Sequence, residues 1–484
     1  MFAIILLVIF FTVMIGIGIW GMKKTSSLND FFLGGRSIGP WVSALAYGTT
    51  YFSAVLFIGF AGKLGWGYGL NSLWIALGNT IIGTLLAWLV LGRRTRTMTQ
   101  NLDVMTMPEF LQERYGAKYI KAVSAAIIFI FLVPYSASVF KGLGHLFEIS
   151  FGIPYDTALL VMILITGIYL ILGGYFAITL TDFIQGFIMF IGSIALIAAV
   201  TLKAGGLTES ISKLNINYAA HVPEGARPGM LLLAALVFMT SFGAWGMPQM
   251  VQKFYAVKNE SVIMKAAIVT TIFSAVIGFA AYFNGAMSHV FTDSVPKVNG
   301  APAFDRLVPD IMKNNLPEGL MALIILLVLS ASMSTLSSLV LVSSSSVAID
   351  MYKGHVNTKV SKERSLLMMR FLSGIFIIVS YIIAKYELAI IITLMSLSWG
   401  VVAGSFMAPY FFGLYWKGTT KAGAAAGMVT GFSLAIILFY TLGPANSPIA
   451  SSIAMIAPFI VVPLVSFFTK KPAEKIIQKA FERI

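Results

Sequence analysis

Ala331-Ser-Met-Ser-Thr-Leu-Ser-Ser338 sits in the middle of a long apolar run, with Leu320-Met-Ala-Leu-Ile-Ile-Leu-Leu-Val-Leu329 before it and Leu339-Val-Leu-Val342 after it. A run this long and this apolar is a membrane-spanning helix. At about 100° per residue, Ser334, Ser337 and Ser338 fall on one face with Thr335 at its border. That face carries hydroxyl oxygens and no charge at the depth of the bilayer centre. Two readings are open from spacing alone. Ser and Thr are common where membrane helices pack closely, and oxygen donors are what a small hard cation binds.

The rest of the chain says what surrounds that helix. Hydrophobic residues make up 58% of the 484 and charged residues only 11%, with a mean hydropathy of +0.89. This is an all-α polytopic membrane protein, nearly all of it consumed by spans. Cysteine is absent, which removes disulfides, thiolate metal sites and thiol nucleophiles. No catalytic constellation suggests an enzyme. Residues 2–20 resemble a signal peptide, but no basic residue precedes them and Lys23 and Lys24 follow. They are expected to be an uncleaved first span.

Hydropathy predicts thirteen spans, near 2–22, 41–66, 72–92, 121–145, 156–174, 177–202, 229–251, 262–288, 319–347, 367–384, 387–414, 422–442 and 449–468. With alternating sides, 24 of the 33 Lys and Arg, Lys253 among them, lie on the side of the loop after span 1. The positive-inside rule makes that side cytoplasmic and puts the N-terminus outside and the C-terminus inside a cell membrane. The net charge of +14 is then mostly a topology signal, and nucleic acid is not an expected partner. Residues 203–228 and 289–318 read as polar outer loops. A short surface helix is expected in the inner loop 93–120, and a basic amphipathic helix or a solvated tail over Pro472–Ile484.

Two spans are interrupted. Span 2 reads Ala44-Leu-Ala-Tyr-Gly-Thr-Thr-Tyr-Phe-Ser-Ala54, and span 7 reads Thr240-Ser-Phe-Gly-Ala-Trp-Gly-Met-Pro248. Gly48 in the first, and Gly243, Gly246 and Pro248 in the second, weaken helix continuity. Non-helical backbone at that depth survives where it lines a cavity or is buried in protein. The breaks lie five spans apart, each opening a candidate five-helix unit, and an odd repeat inverts the second unit. Broken helices at matching places in inverted repeats point to the midplane site of a secondary transporter. The division expected is 1–40 for the first span and inner loop, 41–202 and 229–414 for two inverted repeats, and 415–484 for the last spans and tail. Asp182 in span 6 is the deepest carboxylate, either a functional group or a helix-start residue.

Asp30-Phe-Phe-Leu-Gly-Gly-Arg36, the span 2 break, Gly173-Gly174, Thr181-Asp-Phe-Ile-Gln185, Met333-Ser-Thr-Leu-Ser337 and Asp350-Met-Tyr-Lys353 together resemble the sodium:solute symporter family over essentially the whole chain. The resemblance implies a leucine-transporter-type 5+5 inverted-repeat core over spans 2–11. It implies Na⁺-coupled import of a small solute by alternating access, with Na⁺ as coupling ion and no organic cofactor. It also implies a first sodium site of Thr49, Phe52 and Ala331 carbonyls with Ser334 and Thr335 hydroxyls. A second sodium site like that of the bacterial sialic acid transporter would use Asp182, Ser334, Ser337 and Ser338.

Solute contacts are expected from the breaks and span 4: Tyr51, Ser53, Leu56, Tyr135, Thr240, Ser241 and Trp245. The pattern is closest to the family's sodium/proline branch, yet Tyr51 stands where that branch has an aspartate. Thr240 and Ala244 stand where that branch has aromatics. Val55 and Leu56 replace the polar residues of sugar carriers, and the arginine that holds the sialic acid carboxylate falls near Tyr135. An amino acid or organic acid is therefore preferred over a sugar. Lys141 is expected to snorkel outward, and the four histidines show no metal spacing. A proton carrier using Asp182 and a transporter-fold sensor are the alternatives.

Overall fold

The structure, a computed structural model, describes residues 2–24, 32–172, 175–357 and 360–482. Asp30, Phe31, Gly173 and Gly174 of the quoted motifs lie outside them. Each predicted span has a helical counterpart. Among the described residues, eleven helical stretches are long and apolar enough to cross a membrane, and Tyr155–Ile168 in span 5 is a shorter apolar one. Spans 9 and 11 are the most enclosed, while span 1 and span 12 lie at the periphery. Span 6 packs on span 9, span 4 on span 11, and span 8 on spans 2 and 3, so the hydroxyl-bearing helix is walled on all sides.

Span 2 is helical over Pro40–Tyr51, turns extended at Phe52 (φ −113°, ψ 133°) and resumes over Val55–Tyr68, first with wide π-type winding. Span 7 is helical over Met230–Gly243, breaks at Ala244–Met247 and resumes as Pro248–Tyr255 with proline in its first turn, where a missing N–H is harmless. Both predicted breaks are present. Gly65 permits a backbone-to-backbone helix contact in the second half of span 2. A methyl built on it would collide with the Gly285 backbone, and one on Gly285 would collide with the Ala61 carbonyl.

The connections differ from the sequence expectation in four places. Span 3 continues unbroken as helix through Leu102. The helix Met107–Tyr115 is not a surface element: Phe110, Leu111 and Arg114 are buried, and the Arg114 guanidinium donates to the Gly413 and Trp416 carbonyls. The tail helix Glu474–Ala480 docks on these inner helices, with Asn101 donating to the Ala480 carbonyl and Arg114 and Lys417 over the Phe481 ring. The outer segments are structured, with helices Leu207–His221 and Phe304–Asn315 and a small hairpin pairing Lys297–Val298 with Ala301–Pro302. Hydropathy located the spans but was blind to polar helices held by tertiary contacts.

The inner end is tied by a parallel bridge in which Ile38 N–H donates to Ala256 and Lys258 N–H donates to Ile38. Arg36 adds bonds to Thr99 and Val104. Tyr410 donates to Thr95 at 3.2 Å and reaches Tyr255 at 3.4 Å. Asp350 sits in a buried cluster with Thr106 and Lys121, which also reaches Glu109.

Candidate functional site

The hydroxyl face of span 9 meets the break in span 2. A helix that stops leaves its last carbonyls without intrahelical donors, and at this depth no water is available to replace them. Thr335 Oγ1 lies 3.4, 3.1 and 3.3 Å from the carbonyl oxygens of Thr49, Thr50 and Phe52, and 3.1 Å from that of Ala331. Ser334 donates to Thr49 Oγ1 at 2.7 Å, and Thr49 in turn donates to the Leu45 carbonyl at 2.8 Å. Ser332, which the sequence reading passed over, accepts from the Ala54 N–H at 3.0 Å. It caps the helix that resumes after the break.

Hydrogen counting decides what this cluster fits. The Ala331 carbonyl already accepts within the span 9 helix, which leaves three carbonyl oxygens at the span 2 break facing one threonine hydroxyl with a single hydrogen to give. An excess of oxygen dipoles over donors, all buried, suits a cation that replaces its hydration shell with carbonyls and hydroxyls. Thr49, Phe52, Ala331, Ser334 and Thr335 are brought together as expected, and Thr50 joins them.

Above this cluster a cavity of about 20 Å³, room for little more than a water molecule, lies between the broken spans. Tyr51, Ser53, Leu56, Tyr135 and Thr240 line it. Ser241 and Trp245 do not. Ser241 is turned to Asn79 Oδ1 at 3.1 Å, and the Trp245 indole donates to the Ile82 carbonyl at 3.0 Å. The sequence reading missed Asn79, Tyr282, Met395 and Trp399. The last stacks on Tyr51 with centroids 6.3 Å apart and meets Tyr135 edge-on. Asn79 had a visible signal, as an amide within apolar span 3. Trp399 had none, because a tryptophan in a membrane helix has many ordinary uses.

Asp182 is fully buried, so the helix-start alternative fails. Its partner is Lys253, whose Nζ lies 3.2 Å from Asp182 Oδ2 and 3.1 Å from Ser338 Oγ. Ser338 Oγ is also 3.1 Å from Thr50 Oγ1. Ser337 is turned to its own helix, donating to the Ser334 carbonyl at 2.9 Å. Hydropathy ends span 7 near residue 251 and so counts Lys253 among the cytoplasmic charges. The structure corrects this: the helix runs to Tyr255 and the lysine is 2% exposed. Val251, Phe254 and Tyr255 around it are all buried, and that apolar setting was the readable signal.

Lys141 is likewise buried rather than snorkelling. Its Nζ pairs with Asp305 at 3.1 Å and Glu387 at 3.4 Å, while His145 Nε2 meets Glu387 Oε1 at 2.9 Å. Glu148 continues the chain of charges to Arg306 at 3.2 Å. This network joins span 4, the helix Phe304–Asn315 and the turn before span 11 at the outer end. The hydrogen bond from His145 and the charge of Lys141 hold the Glu387 carboxyl down to about 2, against the opposing effect of partial burial.

Comparison with known proteins follows the same lines. The family model described as the sodium:solute symporter family matches residues 31–431. The sodium/proline symporter of Staphylococcus aureus is 30% identical over 487 residues, covering 97% of this chain and 93% of that protein. The sodium/proline symporter 2 of Staphylococcus saprophyticus subsp. saprophyticus is 30% identical over 493 residues, with the same coverage of 97% and 93%. Among solved structures, a substrate-bound, outward-open Na⁺-coupled sialic acid symporter superposes with a TM-score of 0.79 at 16% identity, covering 98% of both chains. A nucleobase-cation-symport-1 family transporter in a closed conformation gives 0.56 at 13% identity, covering 93% of this chain and 97% of that one. These likenesses show a shared leucine-transporter-type fold. The family match spans both broken helices, and the chain belongs to the sodium:solute symporter family of membrane transporters.

Proposed function

We propose that this Na⁺-coupled carrier imports a small amino acid, with a proline-like solute as the first candidate. The sodium ion would be held by the carbonyls of Thr49, Phe52 and Ala331 and the hydroxyls of Ser334 and Thr335. The observation that carries the ion assignment is the excess of buried carbonyl oxygens around Thr335 Oγ1. Sodium binding would hold the span 2 break against span 9 and favour the outward-open state. Inward opening would separate the two and release the ion, and the coupling works in both directions. The solute would sit against Tyr51, Ser53, Leu56, Tyr135 and Thr240, on the aromatic wall completed by Trp399.

The aromatic lining of the cavity and the names of the relatives support an amino acid over a sugar. The distribution of Lys and Arg supports an outside N-terminus and a cytoplasmic C-terminus, and the two matching breaks five spans apart support inverted repeats over 41–202 and 229–414. Uptake of labelled L-proline and a panel of amino and organic acids into proteoliposomes, under a Na⁺ gradient and separately under a pH gradient, tests the reading. Uptake by an amino acid with Na⁺ alone is the expected result; accumulation driven by the pH gradient without Na⁺ defeats it.

A further inference from the structure

The second oxygen pocket lies between spans 6 and 9, and its strongest donor is the buried carboxylate of Asp182. The group found there is the ammonium of Lys253, 3.2 Å from Asp182 Oδ2 and 3.1 Å from Ser338 Oγ. Both partners are ligands that the sequence reading offered to a second sodium ion. Of the other two, Ser337 donates to the Ser334 carbonyl, and Ser334 donates to Thr49 Oγ1 in the first cluster while its hydroxyl stays close enough to act on the Asp182 carboxylate. A lysine is thus doing what an ion would do, neutralising a carboxylate that burial alone would not tolerate as a charge.

We infer that Lys253 is the permanent cation of this pocket, so that the chain binds one Na⁺ per transport cycle instead of two. An ammonium and a sodium ion sharing one carboxylate would be only about 4 Å apart. At an effective dielectric constant near 20, their repulsion weakens binding of the second roughly 10³-fold. The pocket therefore takes one or the other. A lysine cannot dissociate, so its charge contributes no gradient energy to uptake.

The placement of Lys253 gives the pair a further role. Asp182 belongs to span 6 and Ser338 to span 9, whereas Lys253 belongs to Pro248–Tyr255, the inner half of the broken span 7. That short helix also contacts the first half of span 2 and the inner helix Arg93–Leu102. The pair fastens a helix that begins at a break to two that run unbroken past it. Asp182 Oδ1 has no hydrogen-bond partner among the described residues, so the carboxylate keeps capacity for an ion once the lysine is removed.

The inference rests on the Na⁺-coupled reading, and one measurement separates their failures: radioactive sodium bound per chain at saturation, on purified full-length protein in detergent. Wild type is expected to bind one, Lys253→Ala two, and Lys253→Ala with Asp182→Asn one again. Lys253→Arg, which keeps the charge if the alanine variant fails to fold, is expected to stay at one. Two ions in wild type overturn the inference while leaving Na⁺ coupling intact. One ion in both wild type and a folded Lys253→Ala also overturns it. No bound sodium in wild type removes the Na⁺-coupled reading and this inference with it.

Discussion

The Tyr51 hydroxyl donates to the Thr240 carbonyl at 2.6 Å, joining the two broken spans directly across the cavity. Thr240 is itself fixed, since its hydroxyl donates to Asn79 Oδ1 at 2.8 Å. Tyr51→Phe keeps the ring against Trp399 and removes only the bond. The orphaned carbonyl should reduce stability by about 1–3 kcal/mol. Thermal unfolding in detergent checks this, and a Tm equal to wild type would show that the bond does not hold the breaks together.

Gly83 is where span 3 yields to that tyrosine. A Cβ built on it meets the Tyr51 hydroxyl below any normal contact, and Tyr47 bonds the Gly83 carbonyl at 2.8 Å just beside it. Gly83→Ala should displace the Tyr51 ring and lower uptake at least tenfold. Adding Tyr51→Phe removes the atom that clashes most, so the double variant should recover part of the loss. Neighbours that share a contact are not additive; additive losses in a double-mutant cycle would count against the steric account.

Thr335 is the hinge of the sodium argument. Removing its hydroxyl takes one ligand from the proposed sodium site, and bonds to charged groups contribute roughly 1.5–3 kcal/mol. Thr335→Ala should raise the Na⁺ concentration for half-maximal uptake roughly 10- to 100-fold, whereas Thr335→Ser should stay within about threefold of wild type. An alanine variant with wild-type Na⁺ dependence would falsify the first-site assignment.

Glu387 yields a prediction about acid. Its carboxyl is depressed to about 2 by His145 and Lys141. A depressed carboxylate stabilises the fold fully above its unfolded value near 4.3, and the effect fades as pH falls toward 2. The side chain is 44% exposed, so solvent screening keeps the contribution small. The Tm difference between wild type and Glu387→Gln should shrink as pH falls from 5 to 3. A difference that grows in acid would mean that the carboxylate is not the stabilising partner.

The two breaks and the hydroxyl face were legible because each violates a local rule at membrane depth. Glycines and a proline interrupt apolar runs, and five hydroxyl residues crowd eight positions. Asp182 was legible for the same reason. Its partner was not, since Lys253 sits two residues before the helix end at Tyr255 and counts as a loop charge unless the helix boundary is placed correctly. Lys141 failed differently: its partners, Asp305 and Glu387, are more than 160 residues away in sequence, and no local pattern announces such a pair. The lining residues Met395 and Trp399 come from span 11, which only tertiary packing brings to the cavity. Departures from pattern were readable, whereas ordinary residues gathered by the fold were not.

The backbone contact of Gly65 with Gly285 has a mechanical consequence. Two helices that touch main chain to main chain have no side-chain layer to shear, so they can neither slide nor rotate against each other without collision. Under the proposed alternating access, the second half of span 2 and the facing end of span 8 would travel as one rigid lever. The extended backbone at Phe52, beside the carbonyls that face Thr335, would be its pivot. In this chain the fulcrum of the motion and the proposed seat of the ion are the same few atoms.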